Sequence, residues 1–284
     1  TTDKNGTTTS KELYLGKYTV KETKQPNGYV LDKKTYDVEL TYKDQTTPII
    51  NKTLNLKNKG TVIGIEKYDE VSTNKLAGVQ FKIWNKNENE DNANIYTTDE
   101  NGKIEIEYIK QGTYCVKEIK SIPGYAVKND IYEFIVNSDG TIDGKESTTI
   151  YVSNTHIKMI GTTAINNDTN NHYALATNTT IIDTVKMTGL QVGKEYLLKA
   201  TPIDINTGKQ INNILIEKKF IATESNQDVN VEITIDTSLL AGKTINMFEE
   251  LYDEGVLIAY HKDLKDENQN IYVKNVKIGT TAIA

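Results

Sequence analysis

Residues of this chain recur in register 96 positions apart. Thr2-Asp3, Asn5-Gly6, Gly16, Tyr18, Lys21-Glu22, Gly28-Tyr29 and Asn58 reappear as Thr98-Asp99, Asn101-Gly102, Gly112, Tyr114, Lys117-Glu118, Gly124-Tyr125 and Asn154. Self-similarity at a fixed spacing implies repeated structural units, and confines the fold to one that a stretch of about this length can complete. The first copy starts partway through the pattern, so residue 1 is expected to lie inside a module.

Between these landmarks run short segments rich in Val, Ile, Thr and Tyr, broken by Asn-Gly, Asp-Gly and Pro-Gly-Tyr punctuation. That rhythm predicts an all-β chain of tandem sandwiches. Asn5-Gly6 and Asn101-Gly102 carry two-residue turn chemistry and are each expected to close a hairpin. The one helical turn expected lies around Ser238-Leu239-Leu240. Residues 1–59 read as the later part of one sandwich whose first strands are missing, and 60–156 as a complete copy. Residues 157–277 form a third pattern marked by Asp183-Thr184-Val185, Gly193-Lys194-Glu195-Tyr196 and Phe248-Glu249. Ile160-Gly161-Thr162-Thr163-Ala164 recurs 118 residues later as Ile278-Gly279-Thr280-Thr281-Ala282, so 278–284 are expected to open a further unit of the third kind. No Gly/Ser-rich or Pro-rich linker separates the units, which predicts a stiff, rod-like array.

Composition removes several functions. The net charge is -6, and all basic residues are lysines, so the arginine fork that reads phosphate and guanine is absent and nucleic acid is not an expected partner. No apolar run reaches the ~18 residues that cross a bilayer. The single cysteine, Cys115, allows no internal disulfide and reads as a packed, inert thiol. Asn85 to Asn94 is a polar loop without the Gly and terminal Glu spacing of a calcium loop, so a solvated turn is expected, with no metal and no cofactor.

In a strand, residues two apart share a face. Ile63 and Ile65 thereby share theirs with Lys67, Tyr114 and Val116 with Glu118, and Ile150 and Val152 with Asn154. Each apolar stripe ends on a polar group. Burial lowers an amine's pKa and raises a carboxyl's, the condition under which a lysine becomes a nucleophile toward a carboxamide. One reading is therefore that Lys67 attacks Asn154 while Glu118 shuttles protons, releasing ammonia and leaving an isopeptide bond. The other is a buried, hydrogen-bonded ion pair with no covalent step.

Gly-Ile-Glu-Lys67-Tyr-Asp, Thr-Thr-Asp-Glu-Asn-Gly, Gly-Thr-Tyr-Cys-Val-Lys-Glu118 with Pro-Gly-Tyr after it, and Val-Ser-Asn154-Thr resemble the collagen-adhesin B-type (CnaB) domain of Gram-positive surface proteins and pilins. The resemblance covers 60–156 well and 1–59 in part. It implies an inverse-immunoglobulin β-sandwich with a self-formed Lys-Asn isopeptide bond, and its Lys, Glu and Asn fall on Lys67, Glu118 and Asn154. In the partial first copy Glu22 is in phase with Tyr18 and Val20, and Asn58 with Leu54 and Leu56. The matching lysine would precede residue 1, so that module is expected to be unable to close its bond.

In the third pattern Thr162 is in phase with Ile160 and Ala164, Asp183 with Ile181 and Val185, Glu249 with Ile245 and Met247, and Gln269 with Ile271 and Val273. The carboxamide is now Gln, the candidate nucleophile is a hydroxyl, and His261 supplies the base that a hydroxyl needs. Ile-Gly-Thr162-Thr-Ala, Ile-Asp183-Thr-Val, Asn-Met-Phe-Glu249 and His261-x-Asp-x-x-Asp-x-x-Gln269 resemble the VaFE-repeat domain. That resemblance implies an intramolecular Thr-Gln ester bond. It makes Thr162 the nucleophile and Gln269 the acyl donor, with His261, Asp183 and Glu249 assisting proton transfer. Asn246 stands where that family has Val, and Asn270 follows Gln269 where Thr is usual. Thr163 is the alternative nucleophile.

The expected function is a structural stalk segment of a cell-wall-anchored surface adhesin or pilus-like protein. It would be extracellular, monomeric and non-enzymatic apart from single-turnover crosslinking, with a host surface or matrix ligand engaged by a domain outside this chain. A host-ligand or glycan-binding sandwich is the alternative, through loops such as 85–94. A hydrolase built on Thr162, His261 and Asp183 is a further one, for which no Gly-rich nucleophile elbow is present.

Overall fold

A computed structural model describes residues 1–47 and 49–276. The strand expected at 278–284 lies outside the described residues.

The first module contributes β1 (Gly16–Lys21), β2 (Tyr29–Val30), β3 (Thr35–Leu40) and β4 (Lys59–Gly60). β1 and β3 form an antiparallel ribbon, and β2 pairs with β4. Among the described residues no facing sheet covers the ribbon, and Val20, Leu54 and Leu56 each remain 39% exposed. Residues 54–58 are not a strand, contrary to the alternation read from Leu54, Leu56 and Asn58. Two paired strands cannot bury enough apolar surface to impose that alternation.

The second module runs through β5 (Val62–Asp69), β6 (Gln80–Asn85), β7 (Asn94–Thr97), β8 (Lys103–Glu107), β9 (Gly112–Lys120), β10 (Ile131–Val136) and β11 (Ser147–Asn154). Its strands form two sheets, ordered β10-β9-β6-β7 and β11-β5-β8. β5 alternates strictly between half-buried and buried residues, as a period-two pattern over one core requires. Ile63, Ile65, Phe81, Val116 and Val152 fill the space between the sheets. The first and last strands, β5 and β11, lie side by side and parallel, with Val152 opposite Lys67 and Asn154 opposite Asp69.

The third module contains β12 (Lys158–Asn166), β13 (Tyr173–Leu175), β14 (Asn178–Thr188), β15 (Glu195–Asp204), β16 (Lys209–Gln210), β17 (Ile216–Ile221), β18 (Gln227–Asp236), β19 (Thr244–Asp253), β20 (Val256–His261) and β21 (Asn270–Lys274). One sheet is ordered β12-β14-β18; the other follows β13-β21-β19-β15, with β20 on β19 and both β16 and β17 on β15. Ile181, Val185, Leu198, Val231, Ile233 and Met247 are completely or almost completely buried in one core. Here the first and last strands, β12 and β21, belong to different sheets.

Three local expectations are corrected. Asn101-Gly102 does not close a hairpin: β7 and β8 belong to different sheets, and the chain crosses between them through Gly102 N–H to Asp99 C=O (2.9 Å) and Asp99 N–H to Lys103 C=O (2.9 Å). Only Gly102 has positive φ (68°), the signature of a type I turn ending in a glycine bulge. Asn5-Gly6 makes the same two bonds with no strand beside it. Ser238-Leu239-Leu240 is a simple turn, and the short 3-10 turns lie at Glu90–Asn92 and Glu267–Gln269, where Asn89 and Asp266 side chains accept backbone N–H groups at their starts. Finally, Ile160 is 62% exposed because a bulge between Met159 and Gly161 makes it the extra residue, while Thr162 and Ala164 stay inside.

Candidate functional site

Two buried polar clusters sit inside the second and third cores, and a partial one sits in the first module. In the second module Lys67, Glu118 and Asn154 are 0%, 1% and 4% exposed. β5 and β11 bring Lys67 and Asn154 together from one sheet, and β9 brings Glu118 from the facing sheet. Lys67 Nζ donates to Asn154 Oδ1 at 2.5 Å and to Glu118 Oε2 at 2.8 Å. Asn154 Nδ2 donates to the other Glu118 oxygen, Oε1, at 2.8 Å and to Ser121 Oγ at 3.1 Å. One carboxyl group thus spans the amine and the carboxamide nitrogen. Burial lowers the Lys67 pKa, against the opposing pull of the Glu118 hydrogen bond. Ser121 was not singled out by the sequence, since it lies past the end of β9 where strand parity says nothing.

In the first module Asn58 Nδ2 donates to Glu22 Oε1 at 2.7 Å, and Glu22 Oε2 accepts the Asp32 N–H at 2.7 Å. Both side chains are half-buried, and among the described residues no lysine amine joins them.

In the third module Asp183, Glu249 and Gln269 are completely buried, and Thr162 is 5% exposed. Gln269 is not on the last strand, as its phase with Ile271 and Val273 suggested, but ends the 3-10 turn that leads into β21. Thr162 Oγ1 lies 3.2 Å from His261 Nδ1. Glu249 Oε2 is 3.3 Å from the same nitrogen, and Asp266 Oδ2 is 3.2 Å from His261 Nε2. With Nε2–H donating to Asp266, Nδ1 is left as the acceptor for the Thr162 hydroxyl. Asp266 Oδ1 also accepts the Asn268 N–H at 3.0 Å, so one carboxylate orients the imidazole and starts the turn that carries Gln269. Parity reading passed over Asp266 because it lies in a loop; its place three residues before Gln269 was the available signal.

Burial, followed by the Glu249 charge, raises the Asp183 pKa well above the carboxylate range, while Gln269 and His261 pull weakly the other way. Burial likewise pushes Glu249 up to about 8. Both oxygens of Asp183, both of Glu249 and both amide atoms of Gln269 lack a well-formed hydrogen bond, although Asp183 lies beside Glu249 and Gln269. The two departures from the family pattern meet each other. Asn246 Nδ2 donates to Asn270 Oδ1 at 3.0 Å across β19 and β21, and reaches the carbonyls of Asp263 and Asp266 at 3.4 Å.

Cys115 is buried, and burial raises its thiol pKa. The 85–94 loop folds through the Glu90–Asn92 turn, and among the described residues no cluster of three or more metal-ligating side chains occurs. No helix among them is long and apolar enough to cross a membrane.

Residues 1–54 and 61–150, together half of the chain, match the model of the SpaA prealbumin-like fold domain, and residues 158–273 match that of the T-Q ester bond containing domain. No curated protein matches. Among solved structures, the chain is similar to a bacterial adhesin from Mobiluncus mulieris containing intramolecular disulfide, isopeptide and ester bond cross-links (15% identity, TM-score 0.37, covering 42% of this chain and 57% of that one). It is also similar to the full-length major pilin SpaD from Corynebacterium diphtheriae (10% identity, TM-score 0.35, 70% and 62% covered). A third is BcpA, the major pilin subunit of Bacillus cereus (19% identity, TM-score 0.32, 69% and 65% covered). The chain spans less than two thirds of the length of each of these three.

Proposed function

This chain belongs to the SpaA prealbumin-like domain family, and on that premise we propose that it is a structural stalk segment of a bacterial cell-surface adhesin or pilus-like protein, held by two self-formed covalent bonds. The observation that carries the reading is the Glu118 carboxyl, which contacts both the nitrogen that would attack and the nitrogen that would leave.

In the second module the desolvated Lys67 amine attacks Asn154 Cγ. Glu118 accepts a proton from Nζ through Oε2 and returns one to Nδ2 through Oε1. The Cγ–Nδ2 bond breaks, ammonia leaves, and an Nζ–Cγ amide remains. Burial supplies the activation, because it favours the neutral amine.

In the third module His261 Nδ1 takes the proton of the Thr162 hydroxyl while Asp266 holds Nε2–H. Thr162 Oγ1 attacks Gln269 Cδ, and the protonated carboxyls of Asp183 and Glu249 polarise the carboxamide and supply the proton that leaves with ammonia. Their raised pKa values support that protonation state. The reacting groups are buried in both modules, which suits partners within the chain and leaves no room for an external substrate.

A bond between first and last strands closes a loop of 87 residues from Lys67 to Asn154. If the chain-entropy relation for disulfides transfers, closing such a loop stabilises by about 4 to 5 kcal/mol. The larger gain is kinetic, against pulling and proteolysis. The ligand is engaged by a domain outside this chain, and anchoring is to the cell wall.

Intact-mass measurement tests the proposal. The folded chain is expected to weigh less than its sequence by two ammonia molecules, one of which hydroxylamine treatment distinguishes by cleaving the ester. The full calculated mass in folded material would overturn it.

A further inference from the structure

The Gly-Tyr turn of the repeat, read from sequence only as punctuation, makes the same contacts at two places in the molecule. In the first module Tyr29 pairs with Gly60, and the Thr61 N–H donates to the Gly28 carbonyl at 2.9 Å. In the second, Tyr125 pairs with His156, and the Ile157 N–H donates to the Gly124 carbonyl at 2.8 Å. Each residue lies 96 positions from its counterpart. The chain leaving each module is therefore clamped to that module's own turn, two to three residues after Asn58 or Asn154, before the next module begins. These clamps use main-chain groups, so they do not depend on which side chain stands at 60 or 156.

Each clamped turn then receives a tight turn from the module that follows. At the first joint, the 137–141 turn of the second module meets it. The Leu31 N–H donates to the Asp139 carbonyl at 2.8 Å, Lys33 Nζ lies 2.8 Å from Asp139 Oδ2, Gln25 Nε2 donates to the Ser138 carbonyl at 2.6 Å, and Thr61 Oγ1 donates to the Gly140 carbonyl at 2.7 Å. At the second joint the turn between β19 and β20 takes that place. The Gly124 N–H donates to Asp253 Oδ2 at 3.1 Å, and Lys194 Nζ neutralises Asp253 Oδ1 at 2.7 Å. Asp253 is completely buried there. Although the second and third modules match different family models, both bring an Asp-bearing tight turn against the Gly-Tyr turn, Asp139 holding Leu31 and Lys33 just after it and Asp253 holding the Gly124 N–H within it.

We infer that the Gly-Tyr turn is a docking socket for an Asp-bearing tight turn of the following module, and that this contact fixes the angle between successive modules. It acts in place of a linker. Four hydrogen bonds or ion contacts at the first joint, and a buried carboxylate at the second, resist bending that a short exposed connection would permit. The inference does not rest on crosslink formation, because the joint and the bonds are read by different measurements.

The fold carries its own control. Gly140 (φ +79°) and Gly144 (φ +76°) have nearly the same backbone, but a methyl added at Gly140 would lie 2.0 Å from the Tyr29 carbonyl oxygen, whereas nothing lies within 4 Å of one added at Gly144. Both alanine variants therefore bear the same local strain, and only Gly140→Ala opposes docking. Cys115 is buried, so spin labels on Lys17→Cys and Glu105→Cys report the distance between the first two modules. The parent and Gly144→Ala are expected to give one narrow distance, and Gly140→Ala to lose it while keeping the parent's circular dichroism spectrum as proof of folding. A broad distribution in the parent, or the same distribution in both glycine variants, would overturn the inference. A Gly140→Ala chain without that spectrum is replaced by Lys33→Ala with Gln25→Ala, which removes two docking contacts from the first module's side and is expected to broaden the distance; an unchanged distance there also overturns it.

Discussion

The second and third modules bury the same kind of chemistry in opposite electrostatic conditions. Around Lys67 every polar atom is engaged: one carboxyl serves an amine and a carboxamide, and charge is balanced within three side chains. Around Thr162, among the described residues, no lysine amine joins the two buried carboxyls, and six polar atoms of Asp183, Glu249 and Gln269 lack well-formed partners. The difference follows from the nucleophile. An amine is activated by burial, which lowers its pKa and favours the neutral form, so the proposed isopeptide site needs only a shuttle. A hydroxyl keeps its proton in any apolar setting and needs a base, so the proposed ester site adds His261 with Asp266 behind it, beside two carboxyls whose pKa values burial raises. The mechanical layouts differ too. Lys67 and Asn154 would join neighbouring strands of one sheet, while Thr162 and Gln269 would join the two sheets of a sandwich.

The largest test of this contrast removes one carboxyl from each site. Glu118→Ala leaves Lys67 buried without a counter-charge, and is expected to abolish the isopeptide deficit and cost the second module about 3 to 5 kcal/mol on top of the lost bond. Glu249→Gln replaces a group that is neutral at pH 7 with another neutral one, so the third module is expected to keep its melting temperature while its ester forms more slowly. Equal destabilisation in denaturant titrations of the two variants would erase the distinction.

Thr162→Ala is expected to remove one ammonia from the mass deficit and about 4 to 5 kcal/mol from the third module, leaving the second untouched. Retention of the full deficit in Thr162→Ala, with its loss in Thr163→Ala, moves the nucleophile to Thr163. His261→Ala and Asp266→Asn should each slow the ester and spare the isopeptide, as time-resolved mass spectra of freshly refolded chain would record.

The two bonds should also respond oppositely to pH. The neutral fraction of Lys67 rises with pH, so isopeptide formation is expected to speed up toward alkaline solution. Glu249 loses its proton as pH passes about 8, so ester formation is expected to fall there. The same shift bears on stability. The folded state holds the Glu249 proton and the unfolded state does not, so an uncrosslinked Thr162→Ala module should be fully stabilised below about pH 4.5 and lose that contribution as pH rises toward 8. A flat stability profile across that window would show the carboxyl to be ordinary.

The smallest effect concerns the Asn246–Asn270 pair, which the second module lacks. Asn246→Val leaves a buried amide without its donor and is expected to cost about 1 to 3 kcal/mol. Adding Asn270→Thr restores the family's own combination and should recover most of the loss, a coupling that a double-mutant cycle measures.

Much of this was legible in the residues. Lys67, Glu118, Asn154, Asp183 and Glu249 were found because each continues an apolar stripe at strand spacing, and strand parity maps directly onto burial wherever two sheets face each other. Parity failed where the backbone leaves the regular strand. A bulge turned Ile160 outward, Gln269 sits on a 3-10 turn, and Ser121 and Asp266 lie beyond strand ends. In the first module it failed for another reason, because a two-stranded ribbon has no inside.

By itself the sequence determined the repeat, the all-β class and which polar side chains are driven inward, because alternation and turn chemistry are local properties of the chain. Only the tertiary structure decided which strands are neighbours. It made β5 and β11 adjacent while setting β12 and β21 in opposite sheets, paired Asn246 with Asn270, and turned a repeated Gly-Tyr into a joint between modules. Those outcomes depend on contacts between residues distant along the chain, which burial selects collectively and no local pattern encodes.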